Sequence, residues 1–132
     1  MNLALLILRI ACGVPMLYHG SAILFGAFGG PGPEGFARFM HMSNTVGYLV
    51  GLAQFAGGLA ILTGILIRIG ALCVIVVMAG AIYLVHLPHG FDIGKNGYEY
   101  ALTQLLIAMA FLLTGAGAYS LGAGLPRGLR RL

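Results

Sequence analysis

Four long apolar runs govern what this chain can fold into. They extend over about Leu3–Phe25, Val46–Ile67, Ile69–Leu87 and Tyr98–Gly117. Each holds about 20 residues, and at a rise of about 1.5 Å per residue such a helix crosses a hydrocarbon core of about 30 Å. Lipid offers the backbone no hydrogen-bond partners, so a spanning segment is either a helix or part of a closed barrel. The runs are continuous and lack period-2 alternation, which selects helix. The expected fold is all-α: a single integral membrane domain over residues 1–132, built as a four-helix transmembrane bundle.

Composition sharpens this reading. Seven Lys or Arg and three Asp or Glu make up 8% of the chain, against about 25% charged residues in a soluble domain. So few charges cannot cover the surface of a small globule. A water-soluble protein, a disordered chain and a nucleic-acid binder with a broad basic face are therefore excluded. The charges bear on orientation instead. Arg68, Arg127, Arg130 and Arg131 share the side of both termini, with Arg9 within snorkelling reach. On the other side, Arg38 and Lys95 are mixed with Glu34, Asp92 and Glu99. The positive-inside rule then places both termini in the cytoplasm. A cleaved signal peptide is the rival reading of the first run. Its only early charge, Arg9, lies inside the run, and the run is longer than a signal core, so a retained span is expected.

The connections differ in length. The second and third runs meet at a very tight turn around Arg68, which implies an antiparallel hairpin. The first loop opens with Gly29-Gly30-Pro31-Gly32-Pro33. Beyond this Gly/Pro run, Phe36, Phe39 and Met40 fall at i, i+3 and i+4. That spacing suits a short amphipathic helix on the outer interface, with a plain loop as the rival. Asn96-Gly97 in the third loop is a turn signal. Tyr18, Tyr48, Tyr98 and Tyr100 at the outer ends fit an interfacial belt.

Polar side chains within the spans are costly and so mark candidate sites. Arg9, Gly13, Met16 and Gly20 share one face of the first helix, with Arg9 either turned into the bundle or snorkelling to the headgroups. Gly47, Gly51, Gln54 and Gly58 share one face of the second, which seats Gln54 on a small-residue seam for an interhelical hydrogen bond or a ligand contact. Tyr83 and His86 are three apart at the end of the third helix, and Glu99 opens the fourth with Thr103 one turn on. A carboxylate in a first helical turn also serves as a cap. His19, Gln54, His86 and Glu99, with Tyr83 beside them, gather in the outer half and define a candidate ligand pocket. Cys12 and Cys73 lie in apolar runs without partner spacing, as small buried side chains would. His19, His86 and His89 lack i, i+4 spacing and a second carboxylate, so no metal site is expected. No paired-histidine pattern for haem and no nucleotide fingerprint is present.

Several stretches resemble the DoxX family of small bacterial membrane proteins. They are Leu5-Leu6-Ile7-Leu8-Arg9-Ile10 with Tyr18-His19-Gly20 and Phe25-Gly26, and Gly51-Leu52-Ala53-Gln54-Phe55-Ala56-Gly57-Gly58 with Gly64 and Arg68. His86-Leu87-Pro88-His89-Gly90-Phe91, Asn96 to Leu102 and Gly117-Ala118-Tyr119-Ser120-Leu121 also resemble it. The resemblance implies a four-helix, multi-pass protein of the bacterial inner membrane. In some members it implies a membrane subunit of a quinone-linked oxidoreductase. This chain departs from the family where it carries Gln54, since Glu is common there, and so lacks a titratable group on that seam.

The resulting expectation is a non-catalytic subunit that anchors a redox partner and forms part of a quinone site. His19, Gln54, Tyr83, His86 and Glu99 are the contact residues, and Arg9 and Arg68 are the structural or orienting ones. A quinone head needs hydrogen-bond donors inside an apolar pocket, which His and Gln supply. No cofactor is expected on this chain alone beyond a quinone. The partners expected are the lipid bilayer, a protein of a membrane redox complex and, through glycine-lined faces, a second copy of the chain. A purely structural or assembly subunit and a small transporter or channel are the alternatives.

Overall fold

The computed structural model describes residues 1–132 and is helical throughout, with no strand. Helix α1 spans Asn2–Phe25, α2 Gly32–Phe39, α3 Asn44–Thr63, α4 Ile67–Ala81, α5 Glu99–Thr114 and α6 Arg127–Arg130. Beyond Ala81, α4 continues through a wide π-type turn, Ile82–His86, and a 3-10 turn, Leu87–His89. Three helices are long and apolar enough to cross a membrane: Asn2–Phe25, Asn44–Thr63 and Ile67–His89. The fourth run is an apolar helix of 16 residues, about 24 Å at helical rise and shorter than a hydrocarbon core of about 30 Å.

Three boundaries differ from the sequence reading, each for a local backbone reason. Helix α3 stops at Thr63, because Gly64 takes a left-handed conformation (φ 74°) and donates its N–H to the Ala60 carbonyl at 2.9 Å. The hairpin turn is thus Gly64–Leu66, and Arg68 lies in the first turn of α4, exposed. Helix α5 ends at Thr114 instead of running to Gly117, since Gly115 and Gly117 both have positive φ. The short helix expected from Phe36, Phe39 and Met40 is present as α2. Asn96 is left-handed (φ 62°), as its turn signal implies.

Helix α1 packs on α3, α3 on α4 and α4 on α5, and α2 lies across the α1–α3 pair. Both predicted small-residue faces are interfaces. Arg9, Gly13, Met16 and Gly20 are buried on α1, as are Gly47, Gly51, Gln54 and Gly58 on α3. A Cβ built on Gly58 would stand 2.8 Å from Leu17 N and Met16 Cβ, and one on Gly13 2.8 Å from Leu62 Cβ. Only glycine lets these backbones approach so closely. The interior between the ends is sealed by fully buried Cys12, Met16, Ile61, Val74, Ala108 and Phe111.

Candidate functional site

The half of the bundle away from the termini carries an open cavity of about 580 Å³ between α1, α3, the end of α4 and the start of α5, with α2 forming part of its wall. Seventeen of its 21 lining residues are hydrophobic, and no Asp, Glu, Lys or Arg lines it. Its polar groups are His19, Gln54, His86 and Tyr100. Phe36, Phe39 and Met40 of α2 form part of the wall, so the amphipathic helix presents its apolar face to the cavity.

The polar groups are held in distinct ways. Gln54 is buried, and its Oε1 has no hydrogen-bond partner. The interhelical bond considered for this position is therefore not made by that oxygen. The Tyr100 hydroxyl is also buried and unpartnered. His19 stands at the cavity rim, edge-on to Tyr18 at 5.3 Å and to Tyr100 at 5.9 Å between ring centres. His86 Nδ1 lies 2.8 Å from the Asn96 carbonyl. A carbonyl only accepts, so Nδ1 carries the proton and Nε2 of the neutral ring is left as an acceptor.

Three of the five contact residues named from sequence therefore converge: His19, Gln54 and His86. Tyr83 does not join them. It is 74% exposed and turned away from the cavity. The i, i+3 argument for pairing it with His86 assumed an α-helix, whereas the π-type turn over Ile82–His86 is wider and separates residues three apart. Glu99 does not line the cavity either. Its Oε2 accepts the Ile93 N–H at 3.1 Å and so fastens the third loop. Its role is a cap, though for the loop and not for its own helix. His89 Nδ1 likewise lies 3.0 Å from the Val85 carbonyl. No group of three His, Cys, Asp or Glu side chains is arranged to hold a metal ion.

Two polar residues with buried, unpaired atoms escaped the sequence reading, and only the first of them, Tyr100, lines the cavity. Tyr100 looked like an interfacial aromatic, but its hydroxyl is inside. Gln104, one turn deeper on α5, is buried with an unpaired Oε1. The signal for Gln104 was present, since it is an amide in the middle of an apolar run, as Gln54 is. At the opposite end, Arg9 turns inward, and its Nη2 donates to the Tyr119 carbonyl.

A bundle of apolar helices around a neutral, hydrogen-bonding cavity defines a small helical membrane protein. The DoxX family model matches residues 4–87, which carries α1 through the end of α4 and includes His19, Gln54 and His86. The chain belongs to the DoxX family. The stretches after Leu87 that resemble the family lie outside that match. No curated protein and no solved structure matches the chain.

Proposed function

We propose that this DoxX protein is the membrane subunit of a quinone-linked oxidoreductase complex, and that the outer cavity receives the quinone head. In this reading α5 is the fourth span and completes a four-helix bundle. Both termini face the cytoplasm in this reading, which the arginines at that end support through the positive-inside rule.

The observation that carries the reading is that Gln54 and Tyr100, two of the four polar residues lining a cavity without charged side chains, each keep a buried oxygen with no partner, which a side-chain rotation would present to a ligand. An unmet buried polar atom costs about 1–3 kcal/mol, and a ligand that meets it recovers that cost. The residues fit a quinone. Its carbonyls accept from the Gln54 amide, the Tyr100 hydroxyl and a His19 ring N–H, while a quinol hydroxyl donates to Gln54 Oε1 or His86 Nε2. The lining carries no charged Asp, Glu, Lys or Arg, which suits a neutral head. The residues of the chain bind and orient the head and exclude water. The quinone supplies the redox chemistry and a protein partner the electrons.

The rival structural subunit is favoured at His86 and Glu99, whose hydrogen bonds fix the third loop. It gives no reason for Gln54 and Tyr100. The transporter reading needs a polar path, whereas the middle of the bundle is packed with apolar side chains. The test is equilibrium binding of a short-chain quinone to the full chain in nanodiscs. Saturable binding is expected, weakened about 5–30-fold in Gln54→Ala by loss of one or two hydrogen bonds. Wild-type protein that binds no quinone at millimolar concentration refutes the reading.

A further inference from the structure

Arg9 poses a charge problem that the outer cavity does not touch. It is 2% exposed, its Nη2 meets a backbone carbonyl, and Nε and Nη1 have no partner. A guanidinium keeps its proton at any accessible pH, so it cannot escape burial by neutralising itself. A buried ion without a counter-ion is strongly destabilising. No side-chain carboxylate supplies that counter-ion, and the terminal residue Leu132 is engaged by the Arg68 and Ile69 N–H groups instead. The three side-chain carboxylates are Glu34, Asp92 and Glu99, in α2, the third loop and the start of α5. All three lie toward the other end of the bundle, at or beyond the level of His19, which is about 15 Å along α1 from Arg9 by helical rise.

Beside Arg9 is a second pocket, of about 400 Å³, bordered also by Leu62, Thr63, Tyr119, Ser120 and Leu121. We propose that Arg9 and this pocket form an oxyanion site that takes a phosphate group. The planar guanidinium fork matches a tetrahedral oxyanion with two parallel N–H···O bonds, which a carbonyl cannot offer. Arg9 lies about 10 Å along α1 from its start, a depth that headgroup phosphates reach where a helix end sits at the interface. Arg68, Arg127, Arg130 and Arg131 gather at the same end and raise the local anion concentration. The cover can yield. Tyr119 and Leu121 are 61% and 70% exposed, and Gly115 and Gly117 precede them at positive φ. An anionic oxygen therefore replaces the Tyr119 carbonyl at Nη2 and draws Nε and Nη1 to it without unpacking the bundle. The phosphate has two possible sources, a lipid headgroup or free phosphate.

The test uses the full chain in a maltoside detergent, which contains no phosphate. The melting temperature is followed while inorganic phosphate or phosphatidylglycerol is added, with diacylglycerol and chloride at matched ionic strength as controls. A saturable rise of about 5–10 °C at a hundredfold excess over Kd is expected, with no rise from either control. A rise with phosphatidylglycerol alone assigns a lipid, and a rise with both admits free phosphate. Arg68→Gln keeps the response and Arg9→Gln loses it. Where Arg9→Gln does not fold, Ser120→Asp decides. A Cβ at Gly64 would stand 2.5 Å from both Arg9 Nη1 and Ser120 Cβ, so those two side chains are close neighbours. An aspartate there retains an acceptor for the Ala123 N–H now met by Ser120 Oγ and gives up only the hydroxyl's donation to the Gly117 carbonyl. It supplies an internal counter-ion, so the ligand-free protein melts higher and the phosphate response disappears. No saturable response in wild type, or an undiminished one in Ser120→Asp, overturns the proposal.

Discussion

Replacing Gln54 by methionine separates a structural amide from one kept for a ligand, because the two roles predict opposite signs. The side chains have nearly the same length and volume, so packing on the α3 seam is preserved. If Gln54 joined helices through its Oε1, Gln54→Met would lose an interhelical bond and destabilise the protein by about 0.6–1 kcal/mol. The structure shows that oxygen buried and unpaired, so the substitution removes a desolvation penalty of about 1–3 kcal/mol instead. For 132 residues, 1 kcal/mol shifts the midpoint by about 4 °C. The ligand-free variant should therefore melt about 4–11 °C above wild type. Its quinone affinity should fall, since the amide is one of few polar groups in the cavity. The assay is thermal unfolding in detergent, paired with quinone binding in nanodiscs. A variant that melts below wild type by several degrees refutes the reasoning, whatever its affinity.

Other substitutions probe separate parts of the structure. Gly58→Ala forces a Cβ to 2.8 Å from α1 backbone and should cost about 1–3 kcal/mol by overpacking, whereas Gly80→Ala meets nothing within 4 Å and should gain up to about 1 kcal/mol of helix propensity; paired denaturation curves check the difference. Tyr100→Phe removes a buried, unmet hydroxyl, so quinone binding should weaken about 5–10-fold while stability holds or rises. Glu99→Ala should release the Ile93 amide to faster hydrogen exchange and cost about 1 kcal/mol, with a smaller loss of quinone affinity than Tyr100→Phe because Glu99 bears on the cavity only through Ile93.

Much of the helical layout was legible because it rests on one-dimensional signals. The apolar runs placed α1, α3, α4 and α5, and the i, i+3, i+4 pattern of Phe36, Phe39 and Met40 placed α2. The glycine spacing marked the α1 and α3 faces that meet. The site was legible in part. His19, Gln54 and His86 stood out because polar groups are rare in these runs. Tyr83 misled because its neighbours were inferred from α-helical spacing, and a widened turn is not written in hydrophobicity. Glu99 misled because a carboxylate near a site looks functional until its loop partner is seen. Tyr100 was missed because an aromatic at a helix end points outward or inward at equal sequence cost.

The hydrogen-bond census divides the polar side chains into two kinds. His86 and Glu99 each engage a backbone group of the third loop, and His89 engages one of the π-type turn that ends α4. The buried side-chain atoms left without partners belong to Arg9, Gln54, Tyr100 and Gln104 alone. The conspicuous titratable groups at the outer end thus hold the frame, and the unmet capacity rests mainly on amides and a phenol. Gln54 and Tyr100 belong to the lining of the largely apolar cavity, where an ion would be poorly solvated, while Arg9 is set apart at the other end beside its own pocket. The two proposals follow this division, with a neutral head in the first place and an anion in the second. An amide, not a carboxylate, at position 54 agrees with this division. A carboxylate there would need a proton or a cation to remain buried, whereas an amide can donate and accept at any pH without either. Gln54→Glu should therefore make quinone binding pH-dependent, strongest where the introduced carboxyl is protonated and lost as it ionises. A pH-independent affinity in that variant would place the quinone head elsewhere.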